Sequence, residues 1–370
     1  MIKIAPVDRL YEDIKDSLRE KFEAIFRPEH GPFREGRYSK ECEQIIKEMT
    51  GRRFAFMTTS GTASLQCGYL ALGLKPGDEV IMPNLSASSS IMPALAMGAK
   101  CVYQDIDIMG QHNFTGIEDI ITDKTKFIQA TGLYGDSHDH DRIKDLGIKI
   151  MNDSAQSFSS KYKGVETTKL GDISIMSFSI NKVAPTFGTY GCVLTDDEAL
   201  AEKLQHIRRC GEALQTSGEV GTTDILEVGM NAQPHEEKCA QVLCALEKFP
   251  EWAKRRKEIC DYYDDRLGDS GIMTRKSPDF STTNLNKYVI FVEDNLAFKE
   301  KMKAEGVDVT VQYKHNFAGD PVKYPVTNFY NHHVLTIPAH PWLKDSEVDT
   351  VVDKLKQNIS EKDLKVNEAI

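Results

Sequence analysis

The chain has 370 residues, 40% hydrophobic and 28% charged, a balance that allows a substantial core and a length that suggests two domains. A formal net charge of -10 argues against a nucleic-acid surface, which needs clustered Lys and Arg. The 8 cysteines lie singly between Cys42 and Cys260 with no Cys-x-x-Cys, which excludes the usual zinc and iron–sulfur spacings.

The first residues, Met1 to Arg9, lack the apolar stretch of a signal peptide, and no uncharged apolar run reaches membrane-spanning length. A reducing, cytoplasmic setting with no membrane and no nucleic-acid partner is therefore expected. From Tyr11 to about Thr50, apolar positions recur at helical spacing, broken by Pro28, Gly31 and Pro32. Ser64 to Leu72 reads as a helix, stopped by Gly73 and the Pro76-Gly77-Asp78 turn. Strands are expected at Glu79–Pro83, Lys100–Gln104, Thr125–Ala130 and Ile148–Met151. Helical stretches separate several of them, the pattern of a mainly parallel sheet between helices. Glu236 to about Leu267 reads as one or two amphipathic helices, with Tyr288–Val292 a strand, Leu296–Glu305 a helix and a last helix from Ser346. The expected architecture is a large α/β domain over residues 1–245 and a smaller C-terminal α+β domain over 246–370.

Four segments carry chemistry. Thr58 to Ser64 (TTSGTAS) opens a helix after an apolar run, so its backbone N–H groups and hydroxyls suit a phosphate, although such residues also cap helices. Asp153, just past the strand ending at Met151, lies at the carboxyl edge where parallel sheets bind ligands; a capping role is the plainer alternative. A strand from Gly171 runs through Ser177 and Ser179 to Lys182, and a glycine-bearing turn at Gly188–Gly191 leads into the next strand. A desolvated lysine is a competent imine former, although most lysines are surface residues. Val228 to Glu236 (VGMNAQPHE) reads as a turn and helix start, with Asn or Glu as candidate caps. The histidines His315, His332, His333 and His340 are given no role.

Together these segments resemble the DegT/DnrJ/EryC1/StrS family, the sugar-aminotransferase branch of the fold-type-I pyridoxal-phosphate enzymes. The resemblance runs from about Gly31 to about Leu355 and includes Ala71 to Pro83, Leu133-Tyr134-Gly135, Ile337 to Pro341 and Glu347-Val348-Asp349. It implies pyridoxal 5'-phosphate held as an imine on Lys182, with Lys182 also moving the proton during transamination. Asp153 would pair with the pyridine nitrogen, and Gln156 would lie beside the ring. Gly61 and Thr62 would cradle the phosphate with the Ser177 hydroxyl. Asn231 would reach the phosphate of the partner subunit, which implies a homodimer with a shared site. No metal is implied. The substrates implied are an amino-acid donor, glutamate by preference, and a nucleotide-linked keto sugar.

The chain departs from the family pattern at four places. Ala87 stands where an aromatic ring usually stacks on the cofactor, with Tyr190 a candidate to fill that space. Phe158 stands near a usual substrate-facing His, Gln233 replaces a common Arg, and the loop Gly188-Thr189-Tyr190-Gly191 replaces a Gly-Glu-Gly-Gly-like one. These departures keep open a non-catalytic homologue that binds cofactor or sugar nucleotide. A sugar dehydratase of the same family is disfavoured because those relatives replace the imine lysine with histidine. A nicotinamide oxidoreductase is disfavoured because no Gly-x-Gly-x-x-Gly follows a strand.

Overall fold

The computed structural model describes residues 1–213, 224–314 and 317–369. In chain order the helices are α1 (Val7–Ile25), α2 (Arg37–Thr50), α3 (Gly61–Ala71), α4 (Ser88–Ala96), α5 (Glu198–Ile207), α6 (Glu236–Gly268), α7 (Asn295–Ala304), α8 (Pro325–His333) and α9 (Asp345–Asn358). The strands are β1 (Phe54–Thr58), β2 (Glu79–Pro83), β3 (Lys100–Gln104), β4 (Thr125–Thr131), β5 (Lys149–Asp153), β6 (Lys161–Tyr162), β7 (Val165–Glu166), β8 (Ile173–Ser177), β9 (Gly191–Thr195), β10 (Ser281–Thr282), β11 (Tyr288–Phe291) and β12 (Val334–Ile337).

Seven strands form one sheet in the order β1-β9-β8-β5-β4-β2-β3. The pairs β8–β5, β5–β4, β4–β2 and β2–β3 are parallel, whereas β9 runs antiparallel to both β1 and β8. Side chains alternate across a strand, and here each parity meets a different helical layer. Ala55, Met57, Met176, Cys192 and Leu194 pack with α1, α2 and α6. Phe56, Ile173, Ile175 and Val193 pack with α3 and α5 on the other face. A second core joins the C-terminal half of α6 to β11, β12, α7 and α9 through Tyr263, Ile290, Leu335, Met302 and Val351. The 33-residue helix α6 runs through both cores, and the boundary expected at 245/246 falls inside it.

Two local readings differ from the structure. Strand β5 runs two residues past the apolar stretch, so Asp153 is its last residue rather than the one beyond it. Polar residues enter the strand because they are paired there: the Asn152 amide donates to the Thr167 carbonyl at 2.7 Å, and Asp153 lies in register with Thr131. At the start of α6 the capping position is His235, and neither Asn231 nor a glutamate caps this helix.

Glu236 instead turns to the N-terminus of α2. Its fully buried carboxylate accepts from the backbone N–H groups of Gly36 (3.0 Å), Tyr38 (2.6 Å) and Ser39 (3.1 Å) and faces His30 Nε2 at 2.9 Å. A negative charge there satisfies the orphan donors of a helix start. Removing it strands those donors out of reach of water, so Glu236→Ala is expected to cost about 3 kcal/mol of stability in urea unfolding. A loss below about 1 kcal/mol would contradict this account of the α2 start.

Candidate active site

Every parallel strand of the large sheet delivers its carboxyl end to the same edge, and β1, which runs against β9, delivers its end there too. A cavity of about 340 Å³ lies along that edge. Gly61 and Thr62, Asp153, Gln156, Ser177 and Lys182 all line it. Segments separated by more than a hundred residues thus converge on one site because the sheet topology gathers their ends.

Part of the cavity wall is the start of a helix, where backbone donors suit an anion. Helix α3 begins after Ser60, whose hydroxyl oxygen accepts from the Ala63 N–H at 3.0 Å. The Gly61 and Thr62 N–H groups are the next donors at this helix start. Gly61 allows a close approach: a Cβ there would lie 3.0 Å from the Ser177 Cβ and 3.2 Å from its Oγ, tight enough that Ser177 would have to give way. The same crowding holds Gly191, where a Cβ would come within 2.6 Å of the Ser60 backbone. Backbone donors and the Ser177 hydroxyl are thereby brought side by side.

At the end of β5 the Asp153 side chain is 2% exposed. One carboxylate oxygen accepts from the Ser90 hydroxyl at 2.6 Å and the other from the Ala155 N–H at 3.1 Å. Ser90 in turn offers its carbonyl to the Tyr69 hydroxyl at 2.9 Å, beneath the cavity floor. The hydroxyls of Ser86 and Thr131, both buried and in the cavity lining, have no hydrogen-bond partner. Unpartnered buried donors of this kind suit a polar ligand.

Lys182 sits in the turn between β8 and β9, its N–H donating to the Ser179 carbonyl at 3.0 Å. Burial pushes its amine below the usual lysine range, with the Asp153 charge opposing the shift. Gln156 forms the wall between this cavity and a second one of about 250 Å³. Its side-chain carbonyl accepts from the Tyr134 N–H at 3.1 Å, and its amide donates to the Tyr313 hydroxyl.

Asn231 is not part of this lining. It is exposed and pairs through its backbone with Arg209. Tyr190 does not fill the space over Ala87: it is packed into the α6-facing core with Cys239 and Ala240, and no aromatic residue is among the described residues that line the cavity. The reason is parity, since Tyr190 shares the sheet face of Cys192 and Leu194. Phe158 is 4% exposed and packs against Phe249 at 5.2 Å between ring centres, so this position does not face the cavity. Ser86, Ser90, Thr131 and Tyr313 were not singled out from sequence. The Ser86–Ser90 stretch (SASSS) after β2 is a signal that could have found two of them.

Residues 13–356 match the model of the DegT/DnrJ/EryC1/StrS aminotransferase family. The chain belongs to this family. Among its relatives is the UDP-2-acetamido-2-deoxy-3-oxo-D-glucuronate aminotransferase of Pseudomonas aeruginosa, 28% identical over 95% of this chain and 98% of the relative. GDP-perosamine synthase of Escherichia coli is 28% identical over 88% of this chain and 92% of its own length. A Streptococcus pneumoniae protein solved in its PLP form superposes with a TM-score of 0.84 at 25% identity, covering 96% of this chain and 97% of that one. The fold is accordingly that of the fold-type-I aminotransferases, and the chain is a family aminotransferase rather than a nicotinamide enzyme. Among the described residues no helix is long and apolar enough to cross a membrane, and no group of three or more His, Cys, Asp or Glu could hold a metal.

Proposed function

We propose that this aminotransferase holds pyridoxal 5'-phosphate on Lys182 and moves an amino group from an amino acid, L-glutamate by preference, to a nucleotide-linked keto sugar. The observation that carries the reading is the convergence of an amine, a buried carboxylate and a helix-start anion cradle in one cavity of cofactor size. When bound, the cofactor supplies an electron sink that lets a proton leave the donor carbon.

The protein's share follows from its own groups. Gly61 and Thr62 N–H groups and the Ser177 hydroxyl hold the phosphate at the start of α3. Asp153, fixed by Ser90 and Ala155, would keep the ring nitrogen protonated through its charge. Lys182 would hold the cofactor until the donor amine displaces it, which would leave its own amine free beside the donor carbon. That amine, its basicity lowered by burial, would take the proton from the donor carbon and return it two bonds away, across the nitrogen. Water would release the donor as its keto acid, and the same residues acting in the reverse order would then aminate the sugar ketone, with water released. The uridine-linked oxo-uronate in the name of the Pseudomonas relative, and the guanosine-linked sugar in that of the E. coli one, support a nucleotide-linked acceptor.

We propose a homodimer, supported by Asn231: it lies exposed outside its own cavity, as a residue serving the partner's phosphate would. A cytoplasmic setting is supported by 8 free cysteines. Initial rates with glutamate and keto-sugar nucleotides test the reaction, parallel double-reciprocal lines being expected for the two-stage exchange. Intersecting lines, or no transfer to any sugar nucleotide, would contradict it.

The missing ring over Ala87 gives a gain-of-affinity prediction. Ala87→Phe places an aromatic face in a cavity that has none. Stacking is worth roughly 0.5–1.5 kcal/mol, so cofactor affinity is expected to rise about 2- to 10-fold in a fluorescence titration. A weaker complex would show that this wall is not the ring's neighbour.

A further inference from the structure

Past Gln156 the second cavity continues from Lys182 toward the C-terminal unit and is walled by Lys287, Gln312 and Tyr313. No carboxylate is among its described lining residues. Lys287 immediately precedes β11, whose Tyr288 and Val289 are buried, so its backbone is fixed by the second core. Its ammonium donates to the Asn181 carbonyl at 3.1 Å. An ammonium has three donors, and no acid pairs with this one among the described residues. Behind it lies Arg256, 4% exposed, which donates to the Val183 carbonyl at 3.3 Å and lines an adjoining pocket with Lys182 and Lys287.

Three cationic groups therefore crowd one side of the site, and the crowding acts on Lys287. Burial, then the charges of Lys182 and Arg256, bring its amine down to about 7. A lysine in such a place is stabilised when an anion arrives. The proposed function gives the cofactor phosphate to Gly61, Thr62 and Ser177, which line the first cavity and not the second. The other anions of the reaction are the acceptor's diphosphate, set off from the reacting carbon by the sugar ring, and the substrate carboxylates, of which the donor's is bonded directly to the carbon attacked beside Lys182 and an acidic sugar's lies within a few bonds of it.

We propose that Lys287 is the cation that receives a substrate carboxylate next to Lys182. This rests on the reading of Lys182 as the cofactor's anchor. The carboxylate is that of the amino-acid donor or of an acidic sugar acceptor, and the two sources are separable. Cofactor-loaded wild type, Lys287→Met and Lys287→Arg are titrated with L-glutamate by absorbance, and with UDP-glucuronate and UDP-glucose by calorimetry. Loss of one charge-assisted hydrogen bond predicts about 10- to 100-fold weaker binding in Lys287→Met and near-normal binding in Lys287→Arg, with cofactor affinity unchanged in both. If glutamate weakens, the donor supplies the carboxylate. If only the preference for UDP-glucuronate over UDP-glucose disappears, the acceptor supplies it. An intact cofactor band with all three affinities unchanged overturns the role of Lys287 alone. Absence of a cofactor band in the wild type overturns the anchor reading, and this inference with it.

Discussion

Lys182→Ala is expected to slow amino transfer by at least about 10³-fold while leaving the fold intact. The expectation has two parts because the proposed function gives the side chain two uses, attachment and proton movement, and alanine removes both. Truncation should be structurally mild. The side chain is partly buried, its pocket is already a cavity, and its local turn is held by the Lys182 N–H to Ser179 rather than by the amine. A single-turnover assay with glutamate, run beside thermal unfolding, separates the parts. Activity above about a tenth of wild type would remove Lys182 from the chemistry. A collapse in melting temperature would make any rate loss uninformative about it.

The second large effect is at Asp153. Asp153→Asn keeps the size of the side chain and removes its charge. An asparagine oxygen can still accept from the Ala155 N–H, and the Ser90 hydroxyl can rotate to accept from the new amide, so both local contacts survive. The lost element is the charge that the proposed function sets beside the ring nitrogen. Loss of one preorganised electrostatic contact is worth on the order of 10²- to 10³-fold in rate. The expected result is that loss in the glutamate half-reaction, with the cofactor still retained through the phosphate cradle and Lys182. Normal rates in Asp153→Asn would mean that the carboxylate serves only to hold the start of the segment after β5.

Much of this arrangement was legible in the residues. Strands β2 and β3 fall where their apolar runs are bounded by turns, Asp153 ends β5 at the carboxyl edge, and Lys182 lies in the turn between β8 and β9. What was not legible depends on contacts distant in sequence. Lys287 stands 106 residues from Asn181, whose carbonyl it meets, and nothing in its neighbours marks it. Tyr313 reaches Gln156 across 157 positions, from a backbone with a positive φ of 54° that local propensity disfavours. Tyr190 was readable: counting by twos back from Leu194 and Cys192 places it on the α6 face, away from Ala87. His315 lies outside the described residues.

The account stands on Lys182 as the anchor, and the most direct test is to find where the cofactor attaches. Purified protein is mixed with pyridoxal 5'-phosphate, reduced with borohydride, digested and analysed by mass spectrometry. One equivalent of added mass on the peptide containing Lys182, with a visible absorbance band lost in Lys182→Ala, is the predicted result. Label spread over surface lysines, or concentrated on the neighbouring Lys287, would contradict the account.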